Sequence, residues 1–383
     1  MKQYFEKTEY KYMYLGNISY SFANALIGTF GTVMLYKNGI PIWLILLIYG
    51  LRFGITGLCT PLFVKISSKF GIAKCILISN IFSMISAYMM LDGSSIYKNI
   101  VIFILVMGFM GISNPSTDAL SSKYVNTVHR GKFNSFLSVT KILGVAIASG
   151  LVAWGVISNN TVILFMIIAI FFLLQYVFIK KIDYKVESNK SAFKASMSYI
   201  WKSKSRYKLI YALRTSHIIE RQFLPLYLYI VLKDFSLFSS VIVVSLILQA
   251  VTVILIGKYL DKNILKANNF VAILKGVITG IFLFAKSKVI ISLNQTLSDN
   301  FEKVYDTSIQ TSIQNIIKEQ KENSEFLSAV GQMSLCFTEV IVFSILALLS
   351  NFIGEKVFIV IFGLSIISTF CINRNIKRES NRN

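Results

Sequence analysis

The stretch from residue 289 to residue 317, VIISLNQTLSDNFEKVYDTSIQTSIQNII, decides how this chain is read. It has the length of a membrane-crossing helix, about 20 residues or more. Asn294, Gln295, Asp299, Glu302, Lys303 and Asp306 interrupt it, and hydropathy alone would reject it. Its neighbours raise no such doubt. Long apolar runs recur along nearly the whole of the 383 residues, which are 55% hydrophobic and only 15% charged. A soluble domain carries about 25% charged residues, and barrel strands would read as short alternating segments, which the sequence lacks.

Working outward from that stretch, spans are predicted at roughly 13–36, 42–65, 71–92, 98–121, 131–157 and 160–180. A polar segment follows, and a second set lies at roughly 207–232, 236–257, 267–285, 289–317, 323–350 and 355–373. Charge parity retains the polar tenth span. With twelve spans and a cytoplasmic N-terminus, about 27 Lys and Arg fall in cytoplasmic segments and about 6 outside. Removing the tenth span would place the basic tail, Arg374 to Arg382, outside. The expected fold is therefore an all-α polytopic membrane protein of twelve transmembrane helices in two pseudo-symmetric six-helix bundles. Its expected parts are an N-terminal bundle at 1–182, a basic cytoplasmic linker at 183–204 and a C-terminal bundle at 205–383. Both termini are expected in the cytoplasm and the chain in the cytoplasmic membrane.

The net charge of +21 follows from the same asymmetry. No nucleic-acid motif accompanies it, so nucleic acid is not an expected partner. Cys59, Cys75, Cys336 and Cys371 fall in or near apolar runs without metal-ligand spacing, which reads as buried membrane cysteine. The first apolar run is too long for a signal segment and lacks a small-residue cleavage site. No Gly-rich phosphate loop, zinc helix or nucleophile elbow is present, so neither an enzyme nor a cofactor or metal is expected. The two halves carry traces of a repeat: Ser135-Phe136-Leu137-Ser138 opens span five and Glu325-Phe326-Leu327-Ser328 opens span eleven, 190 residues later.

After span eight the chain reads Gly257-Lys258-Tyr259-Leu260-Asp261-Lys262-Asn263-Ile264-Leu265-Lys266. Gly257, Asp261, Lys262 and Lys266 match a Gly, three residues, Asp, basic pattern. The equivalent loop after span two keeps Lys69 and Gly71 but has Ser68 in place of the acid. With twelve spans and a central loop, the chain resembles the major facilitator superfamily. The resemblance implies that Asp261 faces the start of span five near Arg130, where a carboxylate meets free helix N–H groups and holds one conformation of the bundles. Ser68 has no charge to offer, so the first-half contact should be weaker.

Ionisable residues inside spans are costly and mark pathways or pairs. They are Arg52, Lys141, Arg214, His217, Glu220, Arg221, Lys275, Asp299, Glu302, Lys303, Asp306 and Glu339. Arg214, His217 and Arg221 share one face of span seven. Asp299, Glu302 and Asp306 share one face of span ten. The resemblance implies that spans one, four, seven and ten line a central cavity, bringing in Asn17, Tyr20, Asn24, Asn114 and Asp118; Lys141 of span five is a further substrate candidate. Equal depth predicts Arg221 as partner of Glu302, with Asp306 nearer Arg214. A carboxyl in an apolar site can exchange a proton near neutral pH, so Asp299, Glu302 and Asp306, then Glu339, are the proton-coupling candidates. Permanent ion pairs are the competing reading.

The expected function is alternating-access transport of a small organic molecule, coupled to protons, by a monomer in the lipid bilayer. Export is favoured over import because compact bacterial members without sugar or peptide signatures are commonly exporters. Span five has Gly144 and Gly150 but no Gly-Pro pair, so the drug-exporter signature is absent. A nutrient importer or uniporter, and a non-transporting sensor or scaffold, stay open as alternatives.

Overall fold

A computed structural model describes residues 8–92, 96, 98–124, 130–157, 160–182, 198, 206–262, 264–285, 287–319 and 324–380. Among these every regular element is helical. In chain order the spans are α1 (Thr8–Ala23, Ala25–Gly28 and Gly31–Lys37), α2 (Ile42–Phe70), α3 (Ile72–Leu91) and α4 (Ile100–Phe109, a 3-10 turn Met110–Ser113, and Ser116–Tyr124). α5 (Arg130–Ile157) and α6 (Thr161–Lys180) complete the first half. The second half comprises α7 (Arg206–Leu213 and Thr215–Leu232), α8 (Phe235–Lys262), α9 (Ile264–Phe284), α10 (Lys288–Glu319), α11 (Ser324–Ile353) and α12 (Val357–Ser380).

The polar stretch 289–317 thus lies within one helix of 32 residues, about 48 Å long and enough to span a bilayer. Among the described residues seven helices are long and apolar enough to cross a membrane; α9 is apolar over a shorter stretch, Asn269–Phe284, and α1, α7 and α10 are not among them. Position explains the difference. Peripheral helices present apolar side chains to lipid: Val162, Ile163, Met166, Ile170 and Leu173 on α6, Phe270, Ile273 and Val277 on α9, Ile359 and Ile367 on α12. α10 instead packs against α5, α7, α8 and α9. Its Asn294, Gln295, Ser298, Thr307, Ser308, Thr311 and Gln314 are all buried inside protein.

The central helices are also interrupted. α1 breaks at Asn24, α4 turns 3-10 and breaks at Asn114 and Pro115, and α7 breaks at Arg214. Proline has no N–H to donate, which accounts for the break before Ser116. Irregular backbone at membrane depth is tolerated only where protein or a cavity surrounds it.

The two bundles meet along two long seams, α2 with α11 and α5 with α8. The first seam is close because Gly50, Gly54 and Gly57 line it. A Cβ built on Gly50 would lie 3.0 Å from the Cβ of Phe343, and one on Gly57 3.0 Å from the Cβ of Cys336. Small residues at such positions let helices approach in lipid, where van der Waals packing drives association. Within the first bundle, Gly144 of α5 does the same against α1: its Cβ would come 2.8 Å from the carbonyl oxygen of Ile18.

Candidate functional site

The space between the bundles is closed at both ends. On the side that carries the termini, Asn134 Nδ2 of α5 donates to Thr311 Oγ1 (3.0 Å) and Gln314 Oε1 (2.8 Å) of α10. Ser138 and Thr307 hydroxyls lie 2.9 Å apart. Asp118 of α4 accepts from Tyr211 (3.0 Å), Gln310 (2.8 Å) and Gln314 (3.3 Å). On the far side Thr32 Oγ1 of α1 donates to the Gln222 carbonyl at 2.9 Å. Tyr36 meets Tyr229, and Phe30 meets Phe235 and Phe238 edge-on or tilted. Between these closures lies a central pocket. Arg214, His217, Arg221, Glu302, Tyr305 and Asp306 line it together with Ile218 and Ile309.

The basic face of α7 and the acidic face of α10 do meet, but with different partners from those that depth alone predicts. Asp306 is held by Arg214 at 2.8 Å and by Arg221 at 3.6 Å. The expected Arg221–Glu302 pair does not form. Glu302 turns to Lys275 of α9, which also contacts Glu220 Oε2 at 3.2 Å. Depth fixes only the level of a side chain along the axis; Lys275 reaches the same level from a third helix.

This cluster is buried deep in the second bundle. Lys275 is 1% exposed, and its ammonium lies 2.6 Å from His217 Nδ1. An ammonium has only donors, so His217 accepts at Nδ1 and is a neutral ring. Thr279 donates to Glu220 Oε1 at 3.0 Å, and Ser365 donates to Glu220 Oε2. His217, Glu220 and Glu302 have the donor set for a cation, with ligand atoms within 4.8 Å of one another. Lys275 supplies that cation from within the chain. Glu302 and His217 have a second aspect, since both line the central pocket, and the Glu302 side chain is 13% exposed against 7% for His217.

The acidic stripe of α10 therefore divides. Asp299 faces α8, where Ser245 donates to it at 2.5 Å, with Gln295 at 3.0 Å on its own helix. Glu339 of α11 is 0% exposed, and neither of its oxygens meets a nitrogen or oxygen donor. Lys141 stands within electrostatic reach of Asp306, Asp118, Arg221 and Arg214. Tyr20 stands within reach of Arg52 and Arg221. Asn17 donates to its own helix at the Met13 carbonyl, 2.8 Å away. Asn24 sits at the break in α1, and Asn114, at the break in α4, is exposed. Asp118 is spent on the termini-side closure rather than on the pocket.

Of the loop motif, Lys69 is exposed at the end of α2, beside the Phe70 ring, and Gly71 caps that helix with φ 84°, a conformation that favours glycine. α8 runs through Gly257 and Asp261 to Lys262, and α5 begins at Arg130. The side chains of Gly257, Asp261, Lys262 and Arg130 lie outside the described residues. From sequence alone Arg52, Glu220 and Lys275 are ionisable span residues without a site role. Their signal was their presence in apolar runs, which gives cost but no direction.

A family model described as the Major Facilitator Superfamily matches residues 13–298, and the chain belongs to that family. It is a multi-pass membrane transporter by fold and family. No curated protein sequence matches it. Among solved structures, the human organic anion transporter MFSD10 (TETRAN) is similar at a TM-score of 0.70 and 14% identity, covering 96% of this chain and 99% of its own. A bacterial homologue of the iron transporter ferroportin in an outward-facing state is similar at 0.69 and 12%, covering 98% and 100%. The E. coli fucose:proton symporter FucP is similar at 0.63 and 12%, covering 97% of each chain. At these identities the likeness is one of fold.

Proposed function

We propose that the chain is a proton-coupled secondary carrier of a small organic molecule, and that Glu302 is the group that exchanges the proton. The observation that carries this reading is the double aspect of Glu302. It faces the central pocket, and it shares the Lys275 ammonium with Glu220. The titratable groups around it are His217, Glu220 and Arg221 on α7, Lys275 on α9, and Lys303, Tyr305 and Asp306 on α10. Two carboxylates on one ammonium leave one negative charge over, so a proton can be added without leaving a cation unpaired. Protonating Glu302 hands Lys275 to Glu220 and His217 and weakens the tie between α9 and α10 from the pocket side. A group that binds both proton and, through its neighbours, substrate links the two equilibria. Asp306 is the poorer candidate because two guanidiniums hold it. Asp299 points away from the pocket, and Glu339 lies on the α2–α11 seam.

In this reading the linker at 183–204 joins bundles at 1–182 and 205–383, the termini face the cytoplasm, and Asp261 with Arg130 forms the family's loop contact. The carrier acts as a monomer in the cytoplasmic membrane, and outward transport remains the favoured direction. Glu302→Gln keeps an acceptor for Lys275 but cannot exchange a proton. In proteoliposomes it is expected to abolish transport driven by a pH gradient and to keep exchange between equal pools. Full gradient-driven transport by Glu302→Gln would place the coupling site elsewhere.

A further inference from the structure

The central space holds more cations than it pairs. Arg221 is 52% exposed although it stands mid-span, and it lines the pocket, within electrostatic range of Tyr20 of α1. Its one acid, Asp306, is already held more closely by Arg214. Arg52 of α2 lies over the rings of Tyr49 (5.2 Å) and Phe53 (4.7 Å). Its Nε is buried without a hydrogen-bond partner. Among the described residues no carboxylate forms an ion pair with Arg52, Lys141 or Lys303. Glu339 is within electrostatic reach of Arg52 but makes no hydrogen bond to it.

These cations come from both bundles: Arg52 and Lys141 from the first, Arg221 and Lys303 from the second. Each is near mid-depth. Arg52 lies about 15 Å along α2 from its far-side end, and Arg221 about 16 Å along α7 from its far-side end. Arg221 is half exposed at the central pocket and Arg52 partly buried, and a planar guanidinium fork fits a carboxylate in a bidentate way. Beside Arg52 an aromatic wall spans the seam. Tyr49 and Phe53 of α2 meet Phe223 of α7 and Phe343 of α11 at centroid distances of 5.7–6.2 Å. The four rings are 0–4% exposed, so contact with them requires the seam to part.

We infer that the substrate is a small organic anion with an apolar body, its acid group held between Arg221 and Arg52 with Lys141 alongside, its body against Tyr49, Phe53, Phe223 and Phe343. This deepens the carrier reading and rests on it. It also gives the substrate a means of closing the bundles, because one anion would answer cations on both.

The test is binding to the purified full chain, measured by calorimetry, with matched acids, amides and amines. The probes are benzoate, benzamide and benzylamine; 2-naphthoate and its amide and aminomethyl analogues; and hexanoate, hexanamide and hexylamine. The expected result is an acid bound at least about tenfold more tightly than its amide on one or more scaffolds, with Arg221→Gln and Arg52→Gln each weakening it about 10–100-fold. Arg221→Lys and Arg52→Lys keep the charge without the fork and should weaken it less. Melting curves of the four variants confirm that they fold. Amides or amines bound as well as acids on every scaffold, no binding by any acid, or acid binding untouched by both Gln variants would overturn the inference. Flux in proteoliposomes separates the two readings. An acid that binds by these rules but is not moved refutes the carrier reading alone; amides or amines carried without acids refute the anion reading alone.

Discussion

Replacing Lys275 by Met removes the ammonium and keeps the volume and the apolar stem. Glu302 then loses its ion-pair partner, and Glu220 loses a contact at 3.2 Å while keeping the hydroxyls of Thr279 and Ser365. Taking one partner from a buried pair costs about 3–5 kcal/mol, because the other charge is left behind without compensation. Spread over the second bundle this lowers the melting temperature by on the order of 10 °C. The sharper reading comes from rescue. Adding Glu302→Gln to Lys275→Met removes one of the two stranded charges and should recover a good part of the loss; Glu220→Gln should recover less, since Glu220 keeps two donors. The assay is thermal unfolding of purified protein in detergent, read by tryptophan fluorescence, for the parent and the single and double variants. Loss within a degree or two in Lys275→Met, or no recovery in either double variant, would refute the view that one ammonium answers both acids. The same proteins serve in flux assays. If the cluster only braces the bundle, the Lys275→Met and Glu302→Gln double variant should still transport under a pH gradient.

Gly50→Leu places four carbons where a Cβ already sits 3.0 Å from Phe343; overpacking of this kind costs about 1–3 kcal/mol, and it should bias the carrier toward opening on the far side, read as faster maleimide labelling of Thr32→Cys from that side. Unchanged labelling would mean the α2–α11 seam does not part there. Asp261→Asn should shift the same balance by about 1–3 kcal/mol, the usual size of a coupling between sites, and equal accessibility of both faces in variant and parent would count against the loop contact. Lys377→Cys, on a background without the native cysteines, should label only from the cytoplasm; labelling from outside would reverse the topology.

The sequence carried the fold well because a bilayer asks for few things: length, apolarity at the periphery and a charge bias at the loops. α6 and α12 meet these requirements residue by residue. α10 does not, and it was recoverable only from the sign of the basic tail, which depends on how many spans precede it. The breaks in α1, α4 and α7 were not legible. Pro115 marks one of them, but Asn24 and Arg214 carry no breaker signal, and their interruptions depend on what packs around them.

The site was legible in its ingredients and not in its pairs. Helical spacing put Asp299, Glu302 and Asp306 on one stripe, yet that stripe is wide enough to face three neighbours: Asp299 meets α8, Glu302 meets α9 and Asp306 meets α7. Pairing is a property of the bundle's angular order, which no single helix encodes. Lys275 shows the consequence. On its own helix it is a lone charge among Ile273, Val277 and Ile278, and only the position of α9 beside both α7 and α10 turns it into the counterion of two acids. With that ammonium committed, Glu302 has no need of Arg221, and Arg221 is left facing the centre with half of one carboxylate. The half-paired guanidinium at the heart of this carrier thus follows from a lysine on a neighbouring helix.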